Sequence, residues 1–292
     1  MNNHKCPWCE SERTQIHLWL RDEFLTKEDF QIHECLRCGL YFTVPRPAND
    51  KIGAYYNSHE YYSHQENNKR FIPKLYERVK SINLKIKYKI ATEGVNGTKL
   101  LDIGCGVGDF LRIMEQNGWE ASGIEPSETA KIIARKRVKA QLYAPQEIRL
   151  LSNESFDLIT LWHVLEHVDN LKDEVIQLKR LLKTGGRLVL ALPNFKSFDA
   201  QFYKQYWAAY DVPRHLYHFS KLSLVNIFTN NGMNLVKIDK LVWDACYISY
   251  LSEKYQNHRC PLLKGVLRGL RSNCKARKSG EWSSLVYIFE KN

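Results

Sequence analysis

An α/β architecture, a mostly parallel sheet covered by helices on both faces, follows from three observations on this 292-residue sequence. Strand-length apolar runs alternate with amphipathic helical stretches from about residue 99 to about 240, the pattern of successive βαβ units. The run Leu100-Leu-Asp-Ile103 leads through Gly104-Cys-Gly-Val-Gly108 straight into a helical pattern. Side chains are thus missing where the backbone must turn tightly and approach a ligand. Glu125 ends the next apolar run, 23 residues after Asp102, where an acid can accept hydrogen bonds from a ribose diol.

In order, residues 1–47 form a cysteine-bearing module closed by Pro45-Arg-Pro47, and 48–92 a Tyr-rich segment with a basic helix over about 71–91. Asn96-Gly97 is a turn before the first strand of the main domain, 93–292. That strand is 100–103, with a helix over 109–117 stopped by Gly118. The second is 121–124, followed by Ser127 as cap for a helix over 128–137. A weak third strand falls near 140–143, the fourth at 156–161 with a helix over 169–182, and the fifth at 187–191 after Gly185-Gly186. An insertion, about 193–219, precedes a helix over 221–230, and the last strands lie at 235–241 and 284–290. The whole reads as seven strands.

The glycine spacing is G-x-G-x-G. Asp109 stands where G-x-G-x-x-G needs its third glycine, and no Gly-Lys-Ser/Thr follows, so the dinucleotide fingerprint and the phosphate loop are both unmet. Composition is ordinary for a globular chain, 44% hydrophobic and 26% charged. The N-terminal Met-Asn-Asn-His-Lys-Cys-Pro lacks the apolar core of a signal peptide, and no run reaches membrane-span length, which points to the cytoplasm. The net charge of +11 is compatible with nucleic acid, an anionic membrane or an acidic small substrate. Residues 259–278 mix apolar and basic side chains at near-helical spacing, as a membrane-surface helix or a packed one would.

Cys6-Pro-Trp-Cys9 and Cys35-Leu-Arg-Cys38-Gly39 are two Cys-x-x-Cys pairs separated by 25 residues. Each pair presents two thiolates from one tight turn, and two turns complete a tetrahedral site closed to chemistry, hence a structural zinc. Two disulfides or scattered core thiols are the alternatives. Cys246, Cys260 and Cys274 read as packing residues, and Cys105 fills the glycine loop.

Taken together, Asp102-Ile-Gly-Cys-Gly-Val-Gly, Gly123-Ile-Glu-Pro-Ser, Phe156-Asp-Leu-Ile-Thr-Leu-Trp-His and Leu182-Lys-Thr-Gly-Gly-Arg-Leu-Val-Leu resemble class I S-adenosylmethionine (SAM)-dependent methyltransferases over about 95–240. The resemblance implies a Rossmann-like seven-stranded sheet beside a zinc-ribbon module. Asp102, Gly104, Cys105, Gly106 and Gly108 would hold the methionine part, Glu125 and Pro126 the ribose, and Trp162 or the loop 144–147 the adenine. Knuckles continuing as Cys-Gly-Leu-x-Phe-x-x-Pro-x-Pro accompany relatives acting on sugars and small metabolites. This chain reads Cys38-Gly-Leu-Tyr-Phe-Thr-Val-Pro-Arg-Pro47, which implies a small-molecule acceptor, a sugar or glycan precursor. Ribosomal RNA methyltransferases are the other knuckle-bearing branch.

Two clusters are candidates for chemistry. His163-Val-Leu-Glu166-His167 would share one helix face and resembles the Met-Glu-Met-Leu-Glu-His-Val block of ubiquinone-biosynthesis O-methyltransferases, where two acids and a histidine hold a divalent cation. His163 replaces the first acid here, which disfavours Mg²⁺; simple closure of the SAM pocket is the alternative. Tyr210-Asp-Val-Pro-Arg-His-Leu-Tyr-His-Phe-Ser220 resembles the Tyr-His-Glu-His-Leu-x-Tyr-Phe-Ser block of deoxysugar C-methyltransferases, with Arg214 in place of the Glu. Loss of that acid favours O-methylation over C-methylation, with His215 as general base and Arg214 as a clamp for an anionic group. A buried structural histidine is the alternative. Tyr55, Tyr56, Tyr61 and Tyr62 would form a lid or stacking wall. A non-catalytic SAM-binding protein also fits these residues.

Overall fold

The computed structural model describes residues 4–48, 51–56 and 73–292. Tyr61 and Tyr62, half of the expected lid, lie outside them.

The seven-stranded sheet has the order β10-β11-β8-β7-β4-β5-β6. Its strands are β4 (Lys99–Ile103), β5 (Glu120–Ile124), β6 (Gln141–Tyr143), β7 (Phe156–Trp162), β8 (Leu182–Pro193), β10 (Met233–Lys240) and β11 (Ser284–Lys291). β11 runs antiparallel between β8 and β10, while β5, β6, β7 and β8 join β4 in parallel register. The central strands read as continuous apolar runs because helices cover both faces, and six of the seven β7 residues are buried. The helices are α1 (Pro73–Thr92), α2 (Asp109–Gln116), α3 (Glu128–Arg135), α4 (Leu171–Leu181), α5 (Phe198–Tyr203), α6 (Lys221–Thr229), α7 (Asp244–Tyr255) and α8 (Pro261–Ser279). Ser127 caps α3, its side chain accepting from the Ala130 amide. α4 ends earlier than the glycines suggest: β8 begins at Leu182 and takes Gly185-Gly186 into the strand, Gly185 at φ 73°.

The N-terminal module forms a second sheet of order β1-β2-β3-β9, from β1 (Thr14–Arg21), β2 (Asp29–Cys35), β3 (Tyr41–Val44) and β9 (Tyr217–His218). β9 comes from the insertion, so the knuckle and the main domain share a sheet. Tyr41 pairs with His218 and Phe42 with Tyr217. The core follows, uniting Cys35, Leu40 and Phe42 with Leu216, Tyr217 and Phe219.

α7 is an additional helix, outside the elements expected from the sequence. α8 is one continuous helix despite Gly265 and Gly269, because those glycines are its contact with α7. A Cβ on Gly265 would lie 2.4 Å from the Tyr250 Cα, and one on Gly269 2.5 Å from the Cys246 Cα. Cys260 and Cys274 are exposed rather than packed.

One buried carboxylate joins these outer elements. Asp199, fully buried in α5, accepts from Trp207 Nε1 at 2.8 Å, Ser272 Oγ at 2.6 Å and Ser283 Oγ at 2.6 Å. Removing the acceptor leaves three buried donors unsatisfied, each costing about 1–3 kcal/mol. Asp199→Ala is therefore expected to lower unfolding free energy by about 3 kcal/mol or more in a urea titration. A loss below about 1 kcal/mol would refute this bridging role.

Candidate functional site

The carboxyl ends of the parallel strands, where open α/β sheets place their ligands, carry the glycine loop. Gly104, at φ 73°, packs so closely that an added Cβ would lie 2.3 Å from Val164 Cγ2. Gly106, at φ 55°, has nothing within 4 Å of that position, so one glycine serves the fold and the other leaves the loop open to a ligand. Glu125 holds the loop, accepting from the Gly106 amide at 2.8 Å and the Ser127 amide at 2.8 Å across exposed Pro126. Asp102 is buried and accepts from Thr160 Oγ1 at 2.6 Å; burial raises its carboxyl to about 7. Cys105 is buried beneath the loop, its Sγ against Gly123. Trp162, ending β7, lies under the Lys87 ammonium at 4.7 Å and edge-on to Phe110, and its buried Nε1 has no hydrogen-bond partner among the described residues.

Beside these strand ends lies a cavity of about 430 Å³. Its polar end is formed by His163, Glu166, Asp211, Arg214, His215 and Asp244; its walls are Ala209, Ile248, Leu251 and Tyr255. The expected helix at 163–167 is instead a left-handed residue, His163 at φ 59°, followed by a short 3₁₀ turn, Leu165–His167. His163 and Glu166 still meet, Nδ1 to Oε1 at 3.5 Å, while His163 Nε2 reaches Asp244 Oδ2 at 2.9 Å. His167 turns the other way, its Nδ1 3.0 Å from the Arg214 carbonyl and 3.1 Å from the Tyr56 hydroxyl.

Glu166 is the centre of the cluster. It is buried, and neither carboxylate oxygen receives a well-aligned hydrogen bond among the described residues. Its Oε1 is 4.0 Å from His215 Nε2. Burial would raise this carboxyl, but the His163 ring 3.5 Å away and the nearby His215 and His167 rings outweigh it and hold it at about 2. His215 directs Nδ1 at the Ala209 carbonyl, 2.9 Å away. That carbonyl can only accept, so Nδ1 carries the proton and Nε2 offers a lone pair toward Glu166 and Asp211. Glu166, His167 and His215 also bring one ligand atom each within 4.8 Å of one another, a carboxylate and two imidazoles that can hold a borderline metal ion.

His163 adds a pH signature. Burial opposes its charge, yet Asp244 and Glu166 raise the ring to about 9. The folded value lies above the ordinary one near 6.5, so this stabilisation is full below about pH 6.5 and is lost as pH rises through about 9. The stability gap between wild type and His163→Asn, a residue tolerant of left-handed backbone, is expected to narrow by about 1–2 kcal/mol between about pH 6.5 and 9.5. A gap that stays constant refutes the pairing.

Arg214 corrects an expectation. It is 1% exposed, and its guanidinium is engaged by Asp22 Oδ1 at 2.8 Å, Asp211 Oδ1 at 2.7 Å and the Tyr55 carbonyl at 3.2 Å. Two carboxylates already neutralise the charge a clamp would use. Arg214 instead ties the β1–β2 hairpin, whose turn amides Asp22 also accepts, to the histidine loop. Behind His215 the knuckle provides the floor: Thr43 Oγ1 donates to the His215 carbonyl at 2.6 Å and lies 3.0 Å from His218 Nε2.

The four knuckle cysteines converge, with Cys6 Sγ 3.6 Å from Cys38 Sγ and Cys9 Sγ 3.5 Å from Cys35 Sγ. A disulfide needs about 2.05 Å, so these are free thiols. Around a metal with 2.3 Å bonds, tetrahedral sulfurs stand about 3.8 Å apart, and this donor set fits zinc.

The residues that line the walls from α7 were missed, although Ala245, Ile248, Leu251 and Tyr255 recur at helical spacing. The pairing of Asp22 with Arg214 and of Asp244 with His163 has no local signal, since these partners are distant in sequence, whereas Asp211 meets Arg214 three residues on.

Known proteins resemble this chain over the residues that form the glycine loop and the central strands. The family described as "Methyltransferase domain" matches residues 64–238. The ubiquinone biosynthesis O-methyltransferase of Azoarcus sp. (strain BH72) is 30% identical over 165 residues, 52% of this chain and 70% of that protein. A malonyl-[acyl-carrier protein] O-methyltransferase of Enterobacter lignolyticus is 31% identical over 123 residues, covering 41% of this chain and 48% of that one. The chain thus spans about half the length of that second relative. Among solved structures, a SAM-dependent methyltransferase from Archaeoglobus fulgidus has a TM-score of 0.50 at 18% identity, over 73% of this chain and 94% of that one. That likeness concerns the fold.

Proposed function

Because the chain belongs to the SAM-dependent methyltransferase family, we propose that it methylates a hydroxyl of a small, largely apolar acceptor seated over Glu166, with His215 as the base. The observation that carries this reading is the orientation of His215. The Ala209 carbonyl commits Nδ1 as donor, leaving Nε2 free beside a buried carboxylate that stabilises the imidazolium formed on proton uptake. When bound, SAM supplies an electrophilic methyl group. The open approach at Gly106 and the Glu125 carboxylate fit it. Adenine would extend from the ribose toward β6 and the loop 144–147. Trp162, across β4 from that side, belongs with the methionine end.

The acceptor class follows from the walls. Ala209, Ile248 and Leu251 offer apolar contact while the ionisable side chains gather at one end, whereas a sugar ring needs polar partners on most of its edges. The two relatives named as O-methyltransferases do not have a sugar or glycan in their names, and an apolar body carrying one reactive hydroxyl suits the walls better than the expected sugar or glycan precursor. Two relatives named as O-methyltransferases agree on oxygen as the accepting atom. The four-cysteine cluster is read as a structural zinc site.

His215→Ala tests the base. Turnover is expected to fall about 10²–10⁴-fold, with SAM affinity by calorimetry unchanged. Full turnover, or a loss explained by SAM binding alone, overturns the assignment. A second reading, a metal held by Glu166, His167 and His215, rests on their close approach. Stimulation of the apo-enzyme by added Zn²⁺, Mn²⁺ or Fe²⁺, absent in Glu166→Gln, would favour it.

A further inference from the structure

We infer that α8 is an interfacial helix that docks the protein on a bilayer carrying anionic lipid. The helix is packed by one narrow stripe of small residues, Gly265, Gly269, Ser272 and Ala276, all buried. The glycines let α7 approach to backbone contact, and Ser272 donates to the buried Asp199. These contacts fix the roll of the helix, so the face turned outward is a built feature of the fold.

That outward face is divided in two. With about 100° per residue, Leu262, Val266, Leu270, Leu263 and Leu267 fall in one arc next to the packed stripe, an arc that Asn273 and Cys274 share and Arg277 enters at the last turn. All five are exposed, Leu263 to 63% and Leu267 to 59%. Lys278, Arg271, Lys264, Lys275 and Arg268 fill the remaining arc, and the helix contains no Asp or Glu. Arg268 and Arg271 lie over the rings of Phe202 and Phe198, 3.4 and 5.4 Å from their centroids, extending the basic side onto α5.

The charge pattern selects the occupant. A leucine-rich arc beside a cationic one, with Arg277 at the helix end where a long side chain can reach the headgroups, is what a helix in the headgroup plane requires, its leucines entering the acyl boundary while lysines and arginines meet anionic headgroups. The chain's net charge of +11 acts in the same direction. Among the described residues no helix is long and apolar enough to cross a membrane, so the contact is peripheral. α7 separates α8 from the cavity, and its Ile248, Leu251 and Tyr255 line the cavity wall. Docking would therefore bring the cavity close to the bilayer surface; the docking argument itself does not rest on the proposed chemistry.

The test is co-sedimentation of the full chain with vesicles of phosphatidylcholine alone or mixed with phosphatidylglycerol at about 3:1. Binding to the anionic vesicles is expected to exceed binding to the neutral ones by about tenfold and to weaken between about 50 and 300 mM salt. The exposed-site variant Leu263→Ser/Leu267→Ser should lose about tenfold in binding even at low salt. Lys264→Glu/Lys275→Glu should abolish the lipid preference. Absence of vesicle binding, or binding untouched by the leucine variant, overturns the inference. So does a concentration-dependent dimer by light scattering that the leucine variant dissolves, since a second copy would then cover the face.

Discussion

Glu166→Gln is expected to cut turnover by about 10²–10³-fold, while SAM affinity stays within about threefold. Glutamine keeps the shape of the side chain and removes the charge that His163 and His215 share. Without that charge the protonated form of His215 keeps only Asp211 of its two nearby carboxylates, so with His215 as the proposed base the barrier to hydroxyl deprotonation rises. Single-turnover rates with saturating SAM separate this from a binding defect. A variant of full rate would reduce Glu166 to a packing residue, and a rate loss that merely tracks the unfolded fraction would do the same. The effect should be larger than that of His163→Asn, because His163 touches Glu166 but points its other nitrogen at Asp244.

With the cysteine cluster as the proposed zinc site, removing the metal is expected to abolish turnover as well as melt the N-terminal sheet. A strong chelator should release about one equivalent of zinc per chain, the number one four-thiolate site holds. Structural zinc supplies folding free energy on the order of 10 kcal/mol to small modules. The buried side chains of this module, among them Leu20, Phe30, Ile32, Leu40 and Phe42, pack in clusters shared with the main domain rather than in a core of its own. Activity goes with it because Thr43 supports the His215 carbonyl and Asp22 holds Arg214. Cys35→Ser should behave as the chelated protein does. Loss of the N-terminal sheet, seen by hydrogen exchange, with turnover intact would show that the knuckle and the site are independent.

Much of this molecule could be read from its chain, and the reasons differ by region. The parallel sheet was legible because buried strands and amphipathic helices each write a local period, and the glycine loop because its backbone geometry admits few other residues. Cys6, Cys9, Cys35 and Cys38 were legible through spacing, since each pair sits in one turn. Arg214's guanidinium reads as free from the sequence because Asp22, the partner that completes its neutralisation beside the local Asp211, lies 192 residues away. The fold of residues 163–167 failed for a related reason. A helical repeat is present in the sequence, but the contact of Val164 with Gly104 and the pairing of His163 with Asp244 pull the backbone into a left-handed step. α8 reversed the usual reading of glycine, which here marks a close helix contact.

The pairing of β3 with β9 has a consequence in time. Thr43 and His215 are 172 residues apart, so at synthesis rates of about 5–20 residues per second the knuckle waits on the order of ten seconds for its fourth strand. During that interval the nascent sheet presents β3 as an open edge, a template for pairing with any neighbouring chain. The stage of biogenesis most exposed to misassembly therefore comes after the cysteines have emerged and before residue 218 has been made.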